Sequence, residues 1–256
     1  MEPAAPGEES SSSQSTILPT ERAAAALEVI LCSGFPTQII LITVLTMFGM
    51  KMQLSDGRLS PPFVFTLTIA DTVLLVGLIG FFFRAHGESM RLELFGTRTT
   101  ARDFVFGLVL IPASFFLILV VLLLLHVSVP ALHNIPHNPL SDLVKTRTDA
   151  VMFALVVVIG GGVREELQRG FVLRRFEQYL GGGAAGLVIF SAMFGLGHLE
   201  QGRDVALGTA VLGAFWGSIF LRRRTVLPAM IGHAGFNLAQ VVNFVVPGAR
   251  CWVLSA

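Results

Sequence analysis

Charge is scarce in this chain. Of its 256 residues only 14% are Asp, Glu, Lys or Arg, whereas 53% are hydrophobic, and the mean hydropathy is +0.73. Soluble domains carry about 25% charged residues, so a water-soluble globule is excluded. No sign of charge dominates either. The net charge is +1, and 16 of the 18 basic residues are Arg scattered over many loops, which is no footprint for nucleic acid. Cysteine is nearly absent: Cys32 lies in an apolar run and Cys251 near the end, without the spacing of a metal site or a disulfide framework. Both read as small apolar packing residues. Residues 1–22 lack a basic stretch followed by an apolar one, which argues against a cleaved signal peptide. With Glu2, Glu8, Glu9 and the run Ser10 to Ser13 they are expected to form a disordered tail.

What the chain has in abundance is long apolar runs, the most uniform being Phe104 to Leu125. At about 20 residues per crossing, segments near Ala26–Met50, Pro62–Phe83, Phe104–Val129, Ala150–Val163, Ala184–His198, Val205–Leu221 and Val226–Val246 predict an all-α, polytopic transmembrane bundle. Seven spans fit, and an eighth is compatible. The first three, in residues 23–129, read as plain lipid-facing helices; residues 149–256 hold shorter spans richer in Gly and Ala and interrupted by ionisable residues, so function is expected there. Between them, residues 130–148 form an interfacial loop in which Leu140 to Val144 reads as a short helix, a candidate cover for a site beneath. Twelve of the Lys and Arg residues fall on the side of the N-terminal tail and six on the other, which favours a cytoplasmic N-terminus in this integral membrane protein. No internal repeat of the transporter kind is visible. Gly213 to Gly217 has small residues four apart, expected to pack helices within the bundle.

Ionisable residues at bilayer depth cost roughly 2.5 to 3.5 kcal/mol each on insertion scales, so each is a functional candidate by default. Asp71, alone in the second span, reads as an interhelical contact. The others cluster in three places. The first runs from Gly160-Gly161-Gly162 to Arg164-Glu165-Glu166-Leu167-Gln168-Arg169-Gly170, where Arg169 stands four residues after Glu165 and three after Glu166, so that its guanidinium can hold either carboxylate. The second is Phe194 to His198, and the third His233 to Asn237, with His and Asn one turn apart. If the helices before and after Gly181-Gly182-Gly183 form a hairpin, Glu165 and His198 both lie about 25 Å from the turn and meet at one depth. His233 and Asn237, measured from the turn at Arg222 to Arg224, are expected several ångströms shallower.

Two carboxylates, an arginine, two histidines and an asparagine at one depth suit water activation followed by stabilisation of an oxyanion, the chemistry of amide hydrolysis. Ser191 and Ser218 lie in these spans without a Gly-x-Ser-x-Gly setting, so a covalent serine mechanism ranks second. There is no H-E-x-x-H, and His198 and His233 belong to different helices, so no metal and no other cofactor is expected. His126, His133 and His137 read as loop polarity.

These three elements, in this order, resemble the CPBP family of intramembrane proteases (CAAX prenyl protease and bacteriocin-processing type), whose motifs are E-E-x-x-x-R, F-x-x-x-H and H-x-x-x-N or D. Phe194 to His198 and His233 to Asn237 match outright; the first motif here reads E-E-x-x-R. Aligned on Arg169-Gly170-Phe171, Glu165 takes the place of the second motif Glu and Arg164 that of the first; aligned on the acid pair, Arg169 sits one position early. Both registers stay open, and Glu165 falls on a motif Glu in each. The resemblance implies a glutamic-type active site between helices, formed by Glu165, Glu166, Arg169, His198, His233 and Asn237. It also implies hydrolysis of membrane-associated protein or peptide substrates, prenylated or bacteriocin-like. The alternatives from other classes are a non-catalytic membrane binding, immunity or scaffold protein, and a proton-coupled transporter.

Overall fold

The computed structural model describes residues 17–97, 100–135 and 138–245. Its helices are α1 (Pro19–Leu31), α2 (Phe35–Met47), α3 (Pro61–Ala85), α4 (Met90–Phe95), α5 (Ala101–Ser128), α6 (Arg147–Val156), α7 (Glu165–Tyr179), α8 (Gly183–Leu196), α9 (Arg203–Arg223) and α10 (Leu227–Val245). A π-helical segment, Val157–Arg164, joins α6 to α7 without interruption. Among the described residues the sole β feature is an isolated bridge between Gln53 and Leu59.

Helices α3, α5 and α9 are each long and apolar enough to cross a bilayer, and α1 with α2, bent by 44°, makes a fourth if counted as one span. By length and apolarity these account, among the described residues, for three or four of the seven expected crossings, and the other segments fall outside those limits for identifiable reasons. The first span is broken between Leu31 and Phe35, where Gly34, at a φ of +88°, caps the start of α2. The span expected at Ala150–Val163 is the first part of a helical run that continues into the charged α7. Helix α8 has 14 residues, about 21 Å, short of the roughly 30 Å hydrocarbon core. Helix α10 has 19 residues, but His233, Asn237 and Gln240 dilute its hydropathy.

The apolar exterior fits a lipid environment. Val127 is 73% exposed and Val73 70%, with Phe116, Phe81 and Val188 close behind; so much apolar surface exceeds what a monomer in water presents. Inside, α10 packs against α5, α9, α6 and the π-helical segment, α8 against α7 and α9, and the α1–α2 pair against α3 and α7. Phe83, Phe171 and Phe220 anchor one core cluster, Trp216 and Phe236 another, and Phe65, Phe153 and Val241 a third. Gly213 and Gly217 do pack within the bundle: a Cβ on the first would meet the Phe194 ring at 3.0 Å and on the second Leu187 at 2.5 Å.

Local signals set the boundaries that matter for the site. Helix α6 opens on a capping box, Thr146 Oγ1 accepting from the Asp149 N–H at 3.1 Å while the Asp149 carboxylate accepts from the Thr146 N–H at 2.9 Å. Helix α7 ends where Gly181 and Gly182 take φ of +100° and +95°, and the Gly182 N–H returns to the Phe176 carbonyl at 2.9 Å. Residues 130–148 carry 3-10 turns at Pro130–Leu132 and Pro139–Leu143, the latter overlapping the expected short helix, with Leu143 fully buried beside Phe65 and Phe153. Helix α1 begins at Pro19, inside the stretch expected as tail, and α4 lies in a segment expected as loop. Residues 1–16, His137 and Cys251 lie outside the described residues.

Candidate active site

The site begins with a glycine run that stays helical. In the π-helical segment the Glu165 N–H donates to the Gly160 carbonyl five residues back, so the turn is wider than an α turn and shifts which face α7 turns inward. Gly160, Gly161 and Gly162 leave no side chain on this wide turn, and three neighbours come in over them. A Cβ on Gly160 would lie 2.5 Å from Thr68 of α3, one on Gly161 2.3 Å from the Asn237 amide, and one on Gly162 2.4 Å from Ala234. The glycines thus admit α3 and α10 to the backbone immediately before the two glutamates.

The two acids then part company. Glu166 is 1% exposed; its Oε1 accepts from Arg169 Nη1 and from the ring of His233, Nδ1 to Oε1 2.8 Å. Arg169 therefore holds Glu166, three positions back, and among the described residues its Nε and Nη2 have no hydrogen-bond partner. The guanidinium instead lies among the rings of Phe194, Phe190 and Trp216, at 4.9, 5.4 and 5.6 Å to their centroids. Glu165 points elsewhere. Its side chain is 19% exposed and lines an internal cavity of about 310 Å³, shared with His198, His233 and Asn237. The short E-E-x-x-R spacing thus closes a tight Glu166–Arg169 pair and leaves Glu165 to the cavity.

His198 lies in the turn after α8 rather than inside a span. Its Nδ1–H donates to the Phe194 carbonyl at 2.8 Å, one turn earlier, which fixes the tautomer and leaves Nε2 as the basic nitrogen. The F-x-x-x-H spacing has this local meaning: Phe194 supplies the carbonyl, and its ring sits 4.9 Å from the imidazole. His233 stacks on Trp216 with ring centroids 4.0 Å apart, and its Nε2 stands 3.8 Å from Glu165 Oε2. His233 and Asn237, expected several ångströms shallower than His198, are brought against the π-helical segment, where Gly161 and Gly162 let α10 approach.

The cavity wall also draws on the half expected to be plain lipid-facing helix, which supplies the polar residues Asp71, Gln38 and Thr68. Asp71 of α3 accepts from Arg164 through Oδ2 and from Thr37 Oγ1 at 2.5 Å through Oδ1, so it is an interhelical contact, as expected, but one made inside the cavity wall. Gln38 of α2 lines the same cavity. A buried acid alone in an apolar span was the signal for Asp71; Gln38 carried none. Arg164, Glu165, Phe194, His198 and Gln38 also line a second, more apolar cavity of about 440 Å³ near the α1–α2 break. Asn138 and Leu140 of the interfacial loop border the first cavity.

Ser218 Oγ donates to the Ala214 carbonyl at 2.7 Å, and Ser191 Oγ is buried with no partner among the described residues. His133 bonds Asp204 at 2.8 Å, 6.2 Å from the His126 ring. Among the described residues no three His, Cys, Asp or Glu side chains gather as a group able to hold a metal ion.

Comparison with known proteins bears on this half of the chain. Residues 147–239 match the sequence model of a family described as "Type II CAAX prenyl endopeptidase Rce1-like". The matched stretch runs from the first residue of α6 into α10 and takes in all six expected site residues. It agrees with the resemblance to CPBP proteases carried by the three motifs, and that family implies an endopeptidase embedded in a membrane. No curated protein matches the chain, and no solved structure does.

Proposed function

We propose that the chain is an intramembrane endopeptidase in which Glu165 and His198 activate a water molecule against a peptide bond of a membrane-associated substrate. One observation carries the reading: Glu165, whose neighbour Glu166 is bonded through Oε1 to both Arg169 and His233, borders a single cavity together with His198, His233 and Asn237.

Each step is assigned to the chain's own side chains. Glu165 takes one proton from water while Nε2 of His198 accepts a hydrogen bond from the O–H that remains and orients it; general-base help of this kind is worth roughly 10² to 10⁴ in rate. The hydroxide oxygen bonds to the carbonyl carbon, and the electron pair displaced onto the carbonyl oxygen makes an oxyanion. Asn237 Nδ2 donates to it, as does His233 Nε2 when the ring carries both protons; one such donor is worth about 10² to 10³. The C–N bond then breaks and the leaving amine takes the proton from Glu165. Arg169 and Glu166 act by holding His233 in place. The substrate is a membrane-tethered polypeptide of prenylated or bacteriocin type, and the N-terminus faces the cytoplasm.

The test is cleavage by purified protein in detergent against membrane-tethered and prenylated peptides, with Glu165→Gln alongside. Cleavage that disappears in the variant, in a preparation that melts as the wild type does, supports the assignment. A folded wild type that cuts none of the peptides favours the scaffold reading, to which the shortened first motif also lends itself.

A further inference from the structure

Arg164 occupies the position where one alignment of the family motif places an acid, and the structure gives this cation a specific setting. It is 7% exposed and stands between two carboxylates. Nη2 donates to Asp71 Oδ2, while Nη1 lies 3.6 Å from Glu165 Oε1. The first contact is a hydrogen bond; the second is within ion-pair range but too long for one. Asp71 is itself fixed on its other side, Oδ1 accepting from Thr37 Oγ1, whose hydroxyl also reaches the Gly34 carbonyl at 3.0 Å. Gly34 completes the fit, since a Cβ there would lie 2.9 Å from Arg164 Nη2. The α1–α2 break and α3 are thus built around one end of a guanidinium whose other end faces Glu165.

A guanidinium beside a single carboxylate in a low-dielectric site closes on it in a two-pronged bond, which occupies both oxygens. A carboxylate bonded that way is a much weaker base toward water, with each oxygen already engaged by the cation. We infer that Asp71 is a positioning residue for Glu165: it engages Arg164 in competition, holding that cation near enough to balance the Glu165 charge and far enough to leave the carboxylate free. The remaining charged or titratable groups around Glu165 are His233 from α10, His198 in the turn after α8, and Glu166 with Arg169 on α7; α2 contributes only the neutral Thr37 and Gln38. None of these competes for Arg164 in the structure, so Asp71 alone performs this task among the described residues.

This inference rests on the proposed role of Glu165, and its test has one readout that needs no catalysis. Labelling of Glu165 by an apolar carbodiimide, read by mass spectrometry of the intact protein's peptides, reports whether the carboxyl is free. In Asp71→Asn, Arg164 turns onto Glu165, and labelling falls several-fold. In Asp71→Asn combined with Arg164→Gln the competitor and the cation are both gone, and labelling returns to at least the wild-type level. Cleavage follows the same order: kcat falls roughly 100-fold in the single variant, as for a misplaced reacting group, and recovers by tenfold or more in the double variant. Thr37→Val, which removes only the hydroxyl on Asp71, moves both readouts the same way by less and serves if Asp71→Asn fails to fold. Labelling unchanged in both Asp71→Asn and Thr37→Val overturns the inference, whether or not cleavage is found. Labelling that responds as stated, with Glu165→Gln cleaving like wild type, would support the competition for Arg164 while removing the proposed function.

Discussion

Two runs of three glycines, twenty-one residues apart, do opposite things. Gly160-Gly161-Gly162 stays inside a helix, widened to a π turn, and serves by having no side chains: Thr68, Asn237 and Ala234 occupy the space that Cβ atoms would fill. Gly181-Gly182-Gly183 ends a helix, its first two residues at φ of +100° and +95° with nothing within 4 Å of where a Cβ would stand. The first run is a packing device and the second a backbone device. The neighbours decide which: the first is enclosed by α3 and α10, so burial outweighs a helix-propensity cost of about 1 kcal/mol per glycine; in the second, Gly181 and Gly182 have no such cover.

The largest effect expected from this contrast is at Gly161. Gly161→Val puts a branched side chain where the Asn237 amide lies, and should abolish cleavage and lower the melting temperature, both read on the same detergent preparation. Next is Gly162→Ala, whose methyl would sit 2.4 Å from Ala234 Cβ and 2.8 Å from its Cα, on backbone that cannot swing aside. Overpacking of this kind costs about 1 to 3 kcal/mol, so a clear drop in thermal midpoint is expected, with partial loss of activity as α10 is pushed back. The smallest effect on cleavage is at Gly182→Ala, which meets no neighbour; its φ of +95° and ψ of 162° cost an alanine about 1 to 3 kcal/mol of stability, but cleavage should match wild type. A Gly182→Ala protein as damaged as Gly161→Val would erase the distinction.

Much of the fold was legible because bilayer-length apolar runs have few readings: α3, α5 and α9 fall within a few residues of their expected spans. The hairpin about Gly182 was legible from the glycines. Less so was the relation between α10 and the glutamates, since nothing in the spacing of His233 announces that two glycines on another helix will admit it. The assignment of the paired acids was not legible either. Arg169 lies one helical turn from both Glu165 and Glu166, and only the π turn upstream decides which of them faces the cavity. Asp71 was visible as a lone acid needing a partner, but its partner lies 93 residues away, beyond the reach of any local pattern.

The central division of labour lies between two neighbouring carboxylates, one open to the cavity and one locked to Arg169 and His233. The direct measurement is peptide cleavage together with the thermal midpoint for Glu165→Gln and Glu166→Gln, side by side. Glu165→Gln should lose cleavage and keep its midpoint. Glu166→Gln should lose about 3 to 5 kcal/mol of stability, the cost of leaving a buried cation without its counter-charge. A Glu165→Gln protein that cleaves at the wild-type rate, or a Glu166→Gln protein that melts as wild type does, would contradict it.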